Sequence, residues 1–458
     1  MRIPPDLLRK YDRPGPRYTS YPTALELQPG VDGMVYRHHL EQAAQAEEPL
    51  SLYLHLPFCE ERCLYCGCNV VVTRKRRVAE QYLKHLADEI RSVAWRLGGR
   101  RQIRHMHWGG GTPTYLTPSE LRWLHGVLRQ EFEFEDGAEL AIEIDPRVTS
   151  EEHLATLREL GFNRLSLGVQ DFSPQVQEAV HRVQPFQQTQ SQIEFARRLG
   201  FSSFNIDLIY GLPYQTPSSF AETLQLVLHL DPDRLAIYSY AHMPWIKVQQ
   251  RRLPEEALPD AETKLALITR AIECLTDAGY LAIGMDHFAK PDDELGRALV
   301  DGTLWRNFMG YTVRQTRDLI GLGASAIGEV GGAYFQNERK LKRYQDGIAS
   351  GLLAVEKGHV LSADDRLRRQ VITSLMCAFQ LDVPALEERF EIDFERYFAK
   401  ELDALEPLQD DGLLEISQDR LEVQGPGRLL VRNIAMCFDA YRRPTAEPAA
   451  QPRFSRTI

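Results

Sequence analysis

Four cysteines lie close together in the segment PFCEERCLYCGC, residues 57–68. Cys59, Cys63 and Cys66 have the spacing C-x3-C-x2-C, and Cys68 follows after one glycine. A structural zinc site usually needs a second pair of ligands, and the other cysteines of the chain stand alone. We therefore favour three thiolates on a [4Fe–4S] cluster with its fourth iron open. A zinc site completed by His55 or a distant histidine, and a disulfide, remain the alternatives at this point.

Composition limits the classes of protein to consider. The chain has 458 residues, 43% hydrophobic and 26% charged, with a net charge of −10, which predicts a well-cored protein of two to four domains. The acidic balance argues against a nucleic-acid or anionic-membrane partner. The proline-broken N-terminus has no signal-peptide core, and no apolar stretch is long enough to span a membrane. We predict a cytoplasmic protein, in which clustered cysteines serve metal binding or chemistry.

The elements that must position the cysteines repeat along residues 50–240. Six short apolar runs alternate with segments of helical periodicity, two of which open on threonine caps, TPSELRW and TPSSFAE. Successive strand–helix units predict a parallel sheet, as a full or partial (β/α)6-type barrel; a doubly wound open sheet is the alternative. We predict an extended N-terminal arm over residues 1–45, the barrel domain over 46–345, and a mainly helical C-terminal domain over 360–445. The sequence after Tyr441 predicts a proline-rich linker.

Polar or small residues recur where the apolar runs end. They are the cysteine loop after His55, the glycines 109–111, Glu143, Gln170, Asp207 and Tyr240. The carboxyl ends of parallel strands form one face of an α/β fold, so we expect these residues around one shared pocket. Glycines allow a ligand to approach the backbone, and their N–H groups can bind a carboxylate.

The cysteine spacing at the end of a first barrel strand resembles the radical S-adenosylmethionine superfamily. In that resemblance Tyr65 stands where an aromatic residue contacts the nucleoside. The segment GGGTPT, residues 109–114, is similar to the methionine-binding loop of that superfamily. Glu143 is placed to accept hydrogen bonds from ribose hydroxyl groups.

A closer resemblance extends from about residue 8 to the final FSRTI. The segments KYDRPGPRYTSYPTA, HWGGGTPTYL, GFNRLSLGVQDF, NIDLIYGLPYQTP, GMDHFAKPDDEL and RNIAMCFDAYRR are similar to the oxygen-independent coproporphyrinogen III oxidase family. This resemblance implies that a 5′-deoxyadenosyl radical oxidatively decarboxylates two propionates of coproporphyrinogen III to vinyl groups, giving protoporphyrinogen IX. A haem chaperone of the same superfamily is the alternative, but it typically lacks Cys68 and the PRYTSYPT arm.

The resemblance also implies site residues, position by position. Cys59, Cys63 and Cys66 would bind the cluster, and Cys68 matches a cysteine needed for activity whose role is open. The positions that match contacts to one or two S-adenosylmethionine molecules are Tyr53, Tyr65, Gly110, Gly111, Thr112, Glu143, Gln170, Arg182, Asp207, Ala241 and Ile327.

Few sequence features indicate which residues bind the substrate or which other partners the protein has. Coproporphyrinogen III carries four carboxylates, and Arg13 and Arg17 in the arm are the cations we expect to bind them. We further expect the arm to close over the pocket, so that deleting residues 1–25 would abolish turnover and spare the cluster. An electron donor and an electron acceptor are required but unidentified, and the resemblance implies a monomer.

Overall fold

A computed structural model describes residues 4–313 and 316–442. The predicted proline-rich tail and the final FSRTI segment therefore lie outside the described residues from residue 443 onward. The strands are β1 (Leu50–Leu56), β2 (Phe58–Cys59), β3 (Val71–Val72), β4 (Gln102–Gly110), β5 (Glu133–Ile144), β6 (Arg164–Gln170), β7 (Ser203–Tyr210), β8 (Arg234–Ser239), β9 (Leu281–Gly284), β10 (His287–Ala289), β11 (Trp305–Asn307), β12 (Gly310–Thr312), β13 (Leu319–Leu322), β14 (Ile327–Val330), β15 (Ala333–Asn337), β16 (Val355–Val360), β17 (Gln380–Asp382), β18 (Leu414–Ile416) and β19 (Arg420–Val423).

Helices follow most of the central strands. They are α1 (Pro5–Tyr11), α2 (Gly33–Ala43), α3 (Arg76–Arg96), α4 (Pro118–Glu131), α5 (Glu151–Glu159), α6 (Pro174–Ala179), α7 (Phe186–Leu199), α8 (Pro217–Leu230), α9 (Ala261–Asp277), α10 (Glu294–Val300), α11 (Leu341–Ala349), α12 (Ala363–Ala378), α13 (Val383–Phe390), α14 (Phe394–Tyr397), α15 (Ala399–Asp410) and α16 (Val431–Ala435). Short 3-10 helices span Ala24–Glu26, Pro113–Tyr115, Val248–Arg252, Glu255–Ala257, Gly425–Arg428 and Met436–Phe438.

The central sheet confirms the predicted partial barrel. Strands β1, β4, β5, β6, β7 and β8 are neighbours in that order, and every adjacent pair is parallel. Strand β13 adds to the free side of β1, also in parallel, and the sheet then continues through antiparallel strands at both ends. Parallel neighbours place all six carboxyl ends on one face, because each crossover helix returns the chain to the opposite end.

Local signals in the sequence explain where the crossover helices begin. Thr117 and Thr216, the two predicted caps, each accept a hydrogen bond from the backbone N–H three residues on, and a proline follows each of them. Ser150 caps α5 in the same way. Such caps satisfy N–H groups that a helix start leaves unpaired. The apolar faces of these helices then pack on the sheet in one hydrophobic core.

A second hydrophobic core joins the N-terminal arm to the C-terminal region. Leu8, Tyr11, Tyr18 and Tyr21 are buried among side chains of α12–α16 and of β17–β19. The arm is not simply extended: α1 and α2 flank an irregular stretch, and the sequence analysis missed both helices. The predicted domain limits remain predictions. Among the described residues, no helix is long and apolar enough to cross a membrane.

Candidate functional site

One cavity of about 520 Å3 opens at the carboxyl ends of the central strands. This size suits a bound small molecule. The predicted site residues that line it are Cys59, Cys63, Tyr65, Cys66, Cys68, Gly110, Gly111, Thr112, Glu143, Gln170, Arg182 and Asp207. The expectation that the strand ends share one pocket is met for these residues, which come from five strand–loop units.

The cysteine loop forms one wall of the cavity. Cys63 is buried, Cys59 and Cys66 are partly buried, and Cys68 is exposed. Among the described residues, no group of three His, Cys, Asp or Glu side chains converges as the ligands of a single metal ion would. Each thiolate of a [4Fe–4S] cluster binds a different iron. Three thiols of one loop line the same cavity, so the donor set fits a [4Fe–4S] cluster.

The thiols of Cys59, Cys66 and Cys68 differ in their ease of ionisation. Burial raises the pKa of Cys59 to about 11, although a contact of 3.5 Å with the Thr112 hydroxyl opposes this. The hydrogen bond between Cys68 and Cys66 lowers the pKa of Cys66 and raises that of Cys68. The lowered pKa of Cys66 favours the thiolate form that a cluster ligand needs.

The glycine segment is tightly enclosed by its neighbours. A Cβ on Gly110 would lie 2.6 Å from the His55 ring, and one on Gly111 would lie 2.7 Å from the Pro57 backbone. Gly110 also has φ of +113°, which glycine adopts without strain. The Gly111 N–H donates to the Leu56 carbonyl (2.9 Å), and the Gly110 N–H donates to Glu143. In the structure these two N–H groups hold the loop against β1 and β5, and the expectation that the glycine segment binds a ligand carboxylate stays a prediction.

Glu143 points into the cavity from the end of β5. Its Oε2 accepts from Gly110 N (3.1 Å), and its Oε1 lies 3.2 Å from His107 Nε2. Burial alone would raise the pKa of Glu143, but the hydrogen bond and charge of His107 hold it below the ordinary value. Glu143 is therefore ionised and can accept hydrogen bonds from hydroxyl groups.

Asp207, on β7, also lines the cavity. Asn205 Nδ2 donates to it at 2.9 Å and Ser166 Oγ at 3.3 Å. Burial raises the pKa of Asp207 to about 6, and the nearby Glu143 charge adds to this shift while the two donors oppose it.

Asp145 and two arginines form a third group around the cavity. Asp145 Oδ2 accepts from Arg147 Nη2 at 2.6 Å and from Arg182 Nη1 at 2.9 Å. Burial alone would raise the pKa of Asp145, but Arg182 and Arg147 lower it to about 2. The same two nitrogens lie 3.4 and 3.6 Å from Cys63 Sγ. Arg182 also donates to the Gly168 carbonyl, and a Cβ on Gly168 would lie 2.8 Å from Gln170 Nε2 and 3.1 Å from Arg182 Nη2.

Three predicted residues stand behind the cavity lining. Tyr53 stacks on His107 with a centroid distance of 6.0 Å, and Tyr53 pairs in register with Gly321. A Cβ on Gly321 would lie 2.7 Å from the Ile327 backbone, so Tyr53 and Ile327 flank β13 on either side at the same level. The Ala241 carbonyl accepts from Gln250, whose side chain also donates to the Tyr65 carbonyl.

The two predicted substrate arginines have different surroundings. Arg17 is paired with Asp286, and its guanidinium lies 5.1 Å above the ring of Tyr238, which lines the cavity. Arg13 instead donates to Asn433 in the C-terminal region. The structure therefore brings Arg17, but not Arg13, next to the cavity lining.

The sequence analysis missed three residues that organise the site: His107, Asp145 and Arg147. His107 directly precedes the Trp108–glycine segment, and Asp145 follows the strand-end Glu143 by two positions. The strand-end pattern could have indicated Asp145. Nothing in the local sequence connects Arg147 with Cys63, which lies 84 positions earlier.

Comparisons with known proteins agree with this geometry. The sequence profile of the Radical SAM superfamily matches residues 53–227, and that of the HemN C-terminal domain matches residues 361–430. The chain is 48% identical to oxygen-independent coproporphyrinogen III oxidase of Salmonella typhimurium, over 99% of this chain and 98% of that protein. It is 46% identical to the Escherichia coli K12 protein of the same name, with the same coverage.

A solved structure described as coproporphyrinogen III oxidase (HemN) from Escherichia coli, a Radical SAM enzyme, has the same fold. It superposes with a TM-score of 0.92 at 45% identity, covering 96% of this chain and all of that one. The chain therefore belongs to the oxygen-independent coproporphyrinogen III oxidase family of the Radical SAM superfamily.

Proposed function

We propose that this protein converts coproporphyrinogen III to protoporphyrinogen IX without oxygen, by oxidative decarboxylation of two propionate side chains to vinyl groups. The observation that carries this proposal is the cavity in which the cysteine loop faces Glu143 and Asp207, in a chain similar to the named oxidases over 99% of its length. The haem-chaperone alternative is not favoured by that similarity.

In this proposal Cys59, Cys63 and Cys66 bind a [4Fe–4S] cluster, and S-adenosylmethionine binds beside it. Together, when bound, these groups supply one-electron chemistry and a carbon-centred radical. The protein positions them and excludes water. Glu143, held ionised by His107, accepts hydrogen bonds from the ribose hydroxyl groups. Tyr53 fixes the His107 ring by stacking on it.

The remaining cofactor contacts are proposed from position and surroundings. Cavity-lining residues that would contact S-adenosylmethionine are Tyr65, Gly110, Gly111, Thr112, Gln170, Arg182 and Asp207. Ala241 and Ile327, which stand behind the cavity lining, would act through backbone groups. Cys68 lines the same cavity, two positions after the proposed ligand Cys66, and we propose no ligand role for it.

The propionate carboxylates need cations, and Arg17 is the arm residue placed to supply one. Burial lowers the pKa of Arg17 to about 10, and repulsion from Arg432 and Arg306 contributes. Arg306 is buried, and its Nε and Nη1 have no hydrogen-bond partner among the described residues. A cluster of guanidinium groups in which Arg306 has donors without a partner among the described residues favours an anionic ligand.

The arm needs a different test from the deletion of residues 1–25. Tyr18 donates to Asp439 at 2.9 Å and Tyr21 accepts from the Ala440 N–H, so the arm is part of the C-terminal core. Deletion would expose that core and lower stability. We propose the Arg17→Gln variant instead, for which KM should rise roughly tenfold with little change in kcat. Arg9→Gln, at an exposed arginine of the same arm, is the matched control and should keep KM unchanged.

The deciding experiment is a turnover assay. Anaerobically reconstituted protein is incubated with coproporphyrinogen III, S-adenosylmethionine, a strong reductant and an electron acceptor. We expect mass spectrometry to detect stepwise loss of two carboxyl groups together with 5′-deoxyadenosine. The Cys59→Ser variant should give neither product, whereas Cys274→Ser, in a helix outside the cavity, should behave as wild type. Stable haem binding without decarboxylation by a fully loaded protein would instead support the chaperone.

The other expectations remain proposals. A physiological electron donor and an electron acceptor are required, and both are unidentified. We also propose a monomer in the cytoplasm, which size-exclusion chromatography and cell fractionation would test.

A further inference from the structure

Arg147 reaches a proposed cluster ligand without being part of the cysteine loop. Its Nη2 lies 3.4 Å from Cys63 Sγ, within the range of an N–H···S hydrogen bond. Asp145 holds this guanidinium on two sides, since Nε donates to Oδ1 at 3.0 Å and Nη2 to Oδ2 at 2.6 Å. A forked contact of this kind fixes the plane of the guanidinium, so the direction of its remaining donors is set before any ligand binds.

The charges around Cys63 do not balance. Asp145 is paired with two guanidinium groups, those of Arg147 and Arg182, and all three side chains are at most 19% exposed. One carboxylate therefore faces two cations, which leaves an excess of one positive charge beside the thiol. In addition, Arg182 Nε is buried without a hydrogen-bond partner among the described residues. An excess cation at a largely buried site favours an anion next to it.

A cluster on Cys63 would supply such an anion, and the amount of negative charge would depend on its oxidation state. One-electron reduction adds one negative charge to the cluster and its thiolates, with no proton required. Hydrogen bonds to the sulfur atoms and nearby positive charge stabilise the reduced form more than the oxidised form, so they raise the reduction potential.

We propose that Arg147, oriented by Asp145, is a positioning residue that donates an N–H···S hydrogen bond to the Cys63 thiolate and makes the cluster easier to reduce. This inference rests on the proposed function, because it requires a cluster on Cys59, Cys63 and Cys66. Arg182 contributes charge to the same thiol, but it also lines the region assigned above to S-adenosylmethionine. Arg147 is therefore the cleaner position for a test.

The experiment measures the reduction potential of the reconstituted protein, free of S-adenosylmethionine, in an anaerobic titration followed by electron paramagnetic resonance. Arg147→Gln removes the charge and keeps an amide of similar reach. Arg147→Lys keeps the positive charge and loses the two-point contact of the guanidinium with Asp145. The matched control is Arg62→Gln: Arg62 lines the same cavity, but it is exposed and donates to the Val70 carbonyl and to Gln249. Iron and sulfide contents and the visible absorbance are measured first for every variant.

We expect the equilibrium constant for reduction to fall about tenfold in Arg147→Gln, a shift of about 59 mV to lower potential. Arg62→Gln should change it less than about threefold, because solvent screens an exposed charge. Arg147→Lys should fall between these two values. A potential in Arg147→Gln equal to that of wild type or of Arg62→Gln overturns the proposal. If Arg147→Gln takes up no cluster, the reduction potential of Arg147→Lys is the test. A reduction potential of Arg147→Lys equal to that of wild type then also overturns the proposal.

Failure of this inference can be separated from failure of the proposed function. A wild-type protein that takes up no iron, or that keeps a full cluster in Cys63→Ser, would contradict the proposed cluster site itself. A full cluster whose potential does not respond to position 147 would contradict only the role of Arg147.

Discussion

Two carboxyl groups that line the same cavity behave in opposite ways. We name Asp145, Arg147 and Arg182 the charged wall, because the partners of its carboxyl group are charged. We name Ser166, Asn205 and Asp207 the neutral wall, because the partners of its carboxyl group are uncharged. Burial pushes the pKa of both aspartates upward, yet Asp145 ends at about 2 and Asp207 at about 6. Guanidinium partners outweigh burial at Asp145, whereas an amide and a hydroxyl do not at Asp207. Within one cavity the immediate partners, not the depth, decide which carboxyl group is held ionised.

Removing the thiol that the charged wall faces should have the largest effect. In Cys63→Ser the proposed cluster loses one of its three ligands, because a serine hydroxyl is a poor substitute for a thiolate. We expect loss of the visible cluster absorbance and of all measurable turnover. Iron analysis and the porphyrin assay test this. An active Cys63→Ser variant would show that the charged wall does not face a cluster ligand.

Breaking the charged wall should cost more stability than any change to the neutral wall. Asp145→Asn leaves two largely buried guanidinium groups without their anion, and we expect the free energy of unfolding to fall by about 3–5 kcal/mol. Urea unfolding of cluster-free protein at pH 8, followed by circular dichroism, measures the difference. A loss below about 1 kcal/mol would mean that the two arginines find other partners or water.

The equivalent substitution on the neutral wall should have the opposite effect on the free energy of unfolding. Asp207 is charged at pH 8 although burial disfavours the charge, and Asn removes that penalty while keeping similar size. We expect Asp207→Asn to raise the free energy of unfolding by about 1–2 kcal/mol, after allowing for partial exposure. The same urea series measures it. Destabilisation at pH 8 would contradict the contrast between the walls.

Lowering the pH should change the stability effects of the two aspartate substitutions differently, and we expect this difference to be smaller than the effects above. The folded pKa of Asp207 lies above its unfolded value, so its penalty is complete above about pH 6 and shrinks as pH falls towards 4. The folded pKa of Asp145 is depressed, so its stabilisation is complete above about pH 4 and is lost only towards pH 2. Between pH 8 and pH 5, the difference between wild type and Asp207→Asn should therefore shrink by about 1 kcal/mol. The difference in the free energy of unfolding between wild type and Asp145→Asn should stay constant over the same pH range. Equal changes of the two differences with pH would refute the contrast between the pKa values of Asp207 and Asp145.

Much of the fold could be predicted because its signals are local. Alternating apolar runs and helical segments indicated six strand–helix units, and Thr117 and Thr216 marked two helix starts. The helices α1 and α2 were missed, because prolines and polar residues dominate the N-terminal sequence and long-range packing stabilises that region. The burial of Tyr18 and Tyr21 depends on Asp439 and Ala440, more than 400 positions away, and no local pattern indicates such a contact.

The sequence alone determined the chemistry available to this protein: three cysteines at cluster spacing, a fourth beside them, and polar residues at strand ends. These are properties of residue type and of short spacing. Only the tertiary structure decided how those groups are used. It directed the Gly110 and Gly111 N–H groups to the protein itself, and it brought Arg147 and Arg182 to Cys63. Hydrogen bonds and charges act over a few ångströms, so they depend on which loops the parallel strands bring together and not on distance along the chain.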